Sequence, residues 1–181
     1  MNIWHAVDAK RVTPEEFIAC IEISAGSKNK YELDKETGAL ILDRILFTAT
    51  HYPHNYGFIP HTLSEDGDPL DVLVICSEPI VPLALTLAKP IGLLEMNDTG
   101  FLDEKVIAVC SNDPLYNGFT DICQLPAHVS DEIRHFFTVY KELENGKHTE
   151  VKNIRGRDAA KEAIAKDIAA YEKTFLGKPA K

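Results

Sequence analysis

The chain has 181 residues, 45% of them hydrophobic and 26% charged, which suits one soluble domain with a substantial core. Its 19 Lys and Arg against 28 Asp and Glu leave a net charge of −9, which argues against a nucleic-acid binder, whose affinity rests on a basic face. No apolar run approaches the ~20 residues of a membrane helix, and no charged segment followed by an apolar run opens the chain, so no membrane partner and a cytoplasmic location are expected.

Residues 1–16 are of mixed type. Thr13-Pro14-Glu15-Glu16 has the look of a helix start, but Phe17 to Ile23 favours a strand, and the strand is preferred. Ala25 to Asn29 reads as a loop. Lys30 to Asp34 alternates polar and apolar as a half-buried strand does, Lys35 to Gly38 is a turn, and Ala39 to Asp43 returns as the second arm of a hairpin. Residues 51–62 carry two prolines, which exclude a helix interior and leave extended backbone with a short strand.

Further on, Val72 to Ile75 reads as a buried strand. Strands are expected near Ala84–Lys89, at Ile91–Glu95 and at Lys105–Val109, with a turn at Asn97 to Gly100. Asn112 to Pro126 is mostly loop. The period then changes. Ile133, Phe136, Phe137, Tyr140 and Leu143 recur at three and four residues, one face of a helix, with Ser130 as N-cap and Gly146 as stop. A second helix over about Asp158 to Phe175 is ended by Gly177 and Pro179. Short strands followed by two helices predict an α+β chain, mainly β: a small barrel or curled sheet with helices packed on it. One domain covers 1–181, its helical part about 130–176.

The chemistry centres on Asp66-Gly67-Asp68-Pro69-Leu70-Asp71-Val72. Two unit charges ~4 Å apart cost about 4 kcal/mol at an effective dielectric near 20. The strand that follows pins this turn and makes it harder for the charges to spread into water. A cation site relieves them, and hard carboxylate oxygens suit Mg²⁺, Mn²⁺ or Ca²⁺. A solvated turn explains the same composition, since Asp, Gly and Pro are common turn residues. An EF-hand fails on spacing: its fifth, sixth and twelfth positions would hold Leu70, Asp71 and Ser77.

Asp98 and Asp103 form a second acidic set, with Lys105 on the face of Asp103 if that stretch is extended; an exposed hairpin tip is the plainer alternative. Glu22 lies between Ile21 and Ile23 and needs a partner or a metal if it is buried. Lys30 and Glu32 share a strand face, Arg44 ends the hairpin's second strand, and Tyr140 lies on the apolar helix face beside Lys141. Arg and Lys suit phosphate contacts. His51, His54 and His61 lack the companions of a zinc site and read as structural. Four cysteines (Cys20, Cys76, Cys110, Cys123) stand apart and read as reduced thiols. On these residues alone, a Ca²⁺-binding module, an OB-like nucleic-acid binder that kept an acidic loop, and a phosphohydrolase of longer polyphosphates or nucleotides stay open.

The stretch Asp66 to Val72 resembles the signature of the soluble family I inorganic pyrophosphatases. Ile21-Glu22-Ile23, Lys30 to Asp34, Gly38-Ala39-Leu40 with Asp43-Arg44, and Tyr52 to Gly57 are similar to that family in order and spacing. So are Asp98 with Asp103 and Lys105, and His135-Phe136-Phe137 through Tyr140-Lys141. Coverage runs from about residue 15 to 145, and the length resembles the prokaryotic type. The resemblance implies a five-stranded OB-like closed barrel with helices, a homohexamer, and hydrolysis of the Mg²⁺ complex of pyrophosphate to two orthophosphates, which draws biosynthetic reactions forward. By position it implies Asp66, Asp71 and Asp103 as metal ligands, with Asp71 bridging two ions and Asp98 joining Asp103. It implies Asp68 as general base, Glu22 in the metal's outer surroundings and Glu32 as support. Lys30, Arg44, Tyr56, Lys105, Tyr140 and Lys141 would hold phosphate. Mg²⁺ is the expected cofactor, with Mn²⁺ or another divalent ion as substitute. The chain departs from the pattern at Thr99-Gly100-Phe101-Leu102, which is more apolar, and at Asn153 to Gly156, which lacks the tryptophan often found near that point.

Overall fold

Val72-Leu73-Val74-Ile75 is apolar at every position, so a strand there must be covered on both faces. In the computed structural model, which describes residues 2–177, it is. A four-residue helix α1 (Ile3–Ala6) leads into β1 (Phe17–Ile23), β2 (Asn29–Leu33), β3 (Leu40–Ile45) and β4 (Asn55–Phe58). Next come β5 (Asp71–Ile75), β6 (Leu85–Asp98), β7 (Phe101–Cys110), α2 (Ala127–Val139), β8 (Thr149–Gly156) and α3 (Arg157–Phe175). On β5 and β7, Val72, Val74, Val106 and Ala108 pack toward Ala160 and Ile164 of α3. Their neighbours Leu73, Ile75, Ile107 and Val109 pack toward Ile133, Phe136 and Phe137 of α2. The period of two therefore sends alternate residues into two cores, one under each helix.

Strands β1, β4, β5, β7 and β6 pair in that order, and β1 pairs again with β6. The ring closes, giving the mainly β, five-stranded OB-like architecture expected. The β5–β7 contact is parallel and the rest of the ring is antiparallel. β8 adds to β6 outside the ring, and β2–β3 stands apart as a hairpin. Gly57 lies where β4 crosses β1, and a Cβ there would run into the Cys20 carbonyl oxygen. Any side chain at this position must push the two strands apart.

Several expected boundaries move. The stretches 84–89 and 91–95 are one strand, β6, which bends at an irregularity between Pro90 and Gly92. Pro90 cannot donate to a ladder and sits at that bulge. Helix α2 starts after Pro126, so Ser130 lies inside it, and the C-cap is Tyr140. Gly146 ends nothing helical; it turns the chain at φ 74° toward β8, and Leu143 is exposed. β8 has no counterpart among the strands expected from sequence. It is a polar strand on the outside of the ring, and a register shift opposite Glu95 and Met96 blurs its alternation. No helix forms at Thr13. α3 ends at Phe175 with Gly177 at φ 63°, while Pro179 lies outside the described residues.

Candidate active site

One end of the ring opens into a cleft of ≈ 330 Å³, walled by β1, the β2–β3 hairpin, the acidic turn, the ends of β5–β7 and the end of α2. Asp71 starts β5, and the parallel register sets it opposite Lys105 on β7. Asp103, two residues before Lys105, shares its face. Lys105 is buried, and its Nζ donates to Asp71 Oδ2 at 2.6 Å, Asp103 Oδ1 at 2.9 Å and the Tyr56 hydroxyl at 3.0 Å. Tyr56, from β4, donates its own hydroxyl to Asp71. This ammonium stands between two carboxylates set 32 positions apart in sequence, which a parallel strand pair alone brings together.

The acidic turn is closed by its own backbone. Gly67, at φ 87°, donates to the Ser64 carbonyl at 3.0 Å, and the Asp68 amide donates to Asp66 Oδ1 at 2.9 Å. Asp66 and Asp71 both line the cleft. Burial, and then the charge on Asp71, pushes the Asp66 carboxyl above the usual range. Burial pushes Asp103 up as well, with Asp71 adding to it and Lys105 opposing it. Asp68 sits at the outer lip, half exposed, paired with Lys35 of the hairpin turn.

Glu22 is buried although both neighbours are too. The register against β4 slips between Ile21 and Ile23, and this bulge turns the carboxylate into the cleft. Its Oε1 accepts from the Leu33 amide at 2.7 Å. Burial raises its pKa from 4.5 to about 8, with Asp71 and Glu32 adding to the shift and Lys30 opposing it.

Cationic and phenolic groups close the other side. Lys30 pairs with Glu32, and with Asp43 at 3.3 Å. Lys141, just past α2, pairs with Asp98 at the end of β6. Tyr140 caps α2, buried against Phe136 and Phe137. Arg44 is the one expected residue that does not line the cleft; it stands behind Lys30, donating to Asp43 at 2.5 Å and Glu144 at 2.8 Å. Its Nη2 is buried with no hydrogen-bond partner among the described residues.

Trp4, Lys35, Asp43 and Glu144 carry no sequence signal that marks them as site residues. Trp4 reaches the cleft wall from α1, with Lys35 Nζ 5.9 Å above its ring. Glu144 meets Arg44 across 100 positions with no local signal to announce it. His51, His54 and His61 do not line the cleft. Phe101 and Leu102, the apolar departure, are exposed at the β6–β7 hairpin tip.

The wall carries seven carboxylates against four lysines. Among the described residues, no three carboxylates, histidines or cysteines converge as a finished ion cage. The donor set nonetheless fits a hard divalent cation: only oxygens, with an excess of negative charge on the cleft wall.

A barrel mouth with an acidic floor and a rim of lysines and phenols belongs to the class of hydrolases that work on small phosphate polyanions. The sequence model of the family described as inorganic pyrophosphatase matches residues 19–172, and the chain belongs to that family. It is 49% identical over 174 residues to soluble inorganic pyrophosphatase 2 of Chlamydomonas reinhardtii, covering 96% of this chain and 90% of that protein. It is 51% identical over 162 residues to the inorganic pyrophosphatase of Aquifex pyrophilus, covering 88% and 92%. The crystal structure of the Thermus thermophilus inorganic pyrophosphatase superposes with a TM-score of 0.91 at 42% identity, covering 95% of this chain and 99% of that one.

Proposed function

We propose that the protein hydrolyses inorganic pyrophosphate to two orthophosphates with Mg²⁺ as its cofactor. The observation that carries this is the charge excess of the cleft: seven carboxylates and four lysines would repel a polyanion unless divalent cations come between. Asp66, Asp71 and Asp103 would hold the ions, with Asp98 beside Asp103. When bound, Mg²⁺ neutralises phosphoryl oxygens and acidifies water. Asp68, at the lip two residues from Asp66, accepts the proton of the attacking water. Lys30, Tyr140 and Lys141 take phosphoryl oxygens, and Arg44, outside the cleft lining and tied to Asp43 and Glu144, would join them once its guanidinium swings off Asp43. Tyr56 and Lys105 fix Asp71 and Asp103 from behind, and would turn those same donors to phosphate once cations take over the carboxylates. Glu22 and Glu32 orient the inner wall through Leu33 and Lys30.

A homohexamer belongs to the same proposal, on the family resemblance. So does cytoplasmic action, supported by four unpaired thiols. No helix among the described residues is long and apolar enough to cross a membrane.

The test is phosphate release from pyrophosphate, tripolyphosphate and ATP, each with Mg²⁺ and with excess chelator. Release from pyrophosphate that requires Mg²⁺ and exceeds the other two is expected. Absence of metal-dependent release overturns the proposal, and preference for the longer chain would move the substrate to polyphosphate.

A further inference from the structure

The acidic turn is held from outside the barrel. Ser64 Oγ donates to Asp167 Oδ2 on α3 at 2.5 Å, across 103 positions. The Leu63 amide donates to the Asp167 main-chain oxygen at 3.0 Å. Ser64 is also the residue through which the turn closes: its amide donates to the Asp68 carbonyl at 2.8 Å, and its carbonyl accepts from Gly67 at 3.0 Å. Beside it, Lys166 of the same helix reaches Glu65 at 3.0 Å and Glu104 at 3.6 Å.

Asp167 is only 2% exposed and lies in a small pocket with Asp66, Asp103 and Glu104. A carboxylate buried among carboxylates is costly, and an apolar residue would avoid that cost. The proposed reaction gives it no task of its own. What it does hold is the Ser64 hydroxyl. We infer that Asp167 is a positioning residue, which through Ser64 fixes the turn that presents Asp66 to divalent cations and Asp68 to the attacking water. This rests on the metal-dependent activity proposed above.

The test is calorimetric titration of Mg²⁺ into the unsubstituted protein, Ser64→Ala, Asp167→Ala, Asp167→Asn and the Ser64→Ala/Asp167→Ala pair, without substrate. Fluorescence of Trp4 and thermal unfolding report that each is folded. Ser64→Ala loses the hydrogen bond and keeps the charge; Asp167→Asn loses the charge and keeps an acceptor for the hydroxyl. Weakening of Mg²⁺ binding by about tenfold or more is expected for Ser64→Ala and Asp167→Ala. The pair should be no weaker than Asp167→Ala alone, because both act through one bond, and Asp167→Asn should stay close to the unsubstituted protein. Equal affinity in Ser64→Ala, or additive losses in the pair, would overturn the inference. Should Asp167→Ala fail to fold, Ser64→Ala, which removes only a hydroxyl, decides. Absence of Mg²⁺ binding in the unsubstituted protein would instead remove the metal-dependent function, and this inference with it.

Discussion

Asp68→Asn is expected to lower turnover of pyrophosphate at least ~100-fold while leaving Mg²⁺ affinity and thermal stability close to those of the unsubstituted protein. Removal of a general base costs ~10²–10⁴ in rate. The side chain is half exposed and its partner is Lys35 at the hairpin turn, so little packing depends on it. Asn keeps the shape and cannot take the proton. Steady-state kinetics at saturating Mg²⁺, paired with calorimetry of Mg²⁺ alone, separates this role from ligation. A comparable rate would remove Asp68 from proton transfer, and a lost Mg²⁺ signal would make it a ligand.

The second large effect is on stability. Lys105 is almost fully buried, and Asp71, Asp103 and Tyr56 all meet its ammonium. Lys105→Met fills the space and strips two carboxylates of their counter-ion. Breaking a buried pair costs ~3–5 kcal/mol. The side chains of Asp71 and Asp103 are 31% and 22% exposed, so water offsets part of this and about 2–4 kcal/mol is expected. For a chain of this length that lowers the melting temperature by about 4–16 °C. The loss should be greatest in chelator and smaller in excess Mg²⁺, because cations that bind the folded state return stability by mass action. Melting curves with chelator and with Mg²⁺ check it; identical curves for the variant and the unsubstituted protein in chelator would contradict the assigned role of Lys105.

Much of the barrel is legible in sequence because its central strands are apolar on both faces. Phe17 to Ile23 and Val72 to Ile75 have no other stable place than a covered sheet. The face of α2 is legible as far as Tyr140, since Ile133, Phe136, Phe137 and Tyr140 all pack inward. Its ends are not: Pro126 and the turn that releases Lys141 toward Asp98 outweigh the local signals at Ser130 and Gly146. β8 hides because it is polar and outside the ring.

The candidate site divides in the same way. The acidic turn announces itself by charge density, and Asp103 with Lys105 by a spacing of two. What no local pattern carries is register. The parallel pairing puts Lys105 opposite Asp71, and the slip at Glu22 points that carboxylate inward. Arg44 is legible as a cation, but its tether to Glu144 and its place behind Lys30 come from tertiary packing alone.

The account stands on the carboxylates of three separate segments serving one pair of small hard cations. Crystals soaked in Mn²⁺, with anomalous density collected at the manganese edge, test this directly. Two peaks between the carboxylates of Asp66, Asp71 and Asp103, with Asp71 touching both, are expected. Manganese bound only elsewhere on this acidic surface, with the cleft carboxylates untouched, would contradict it.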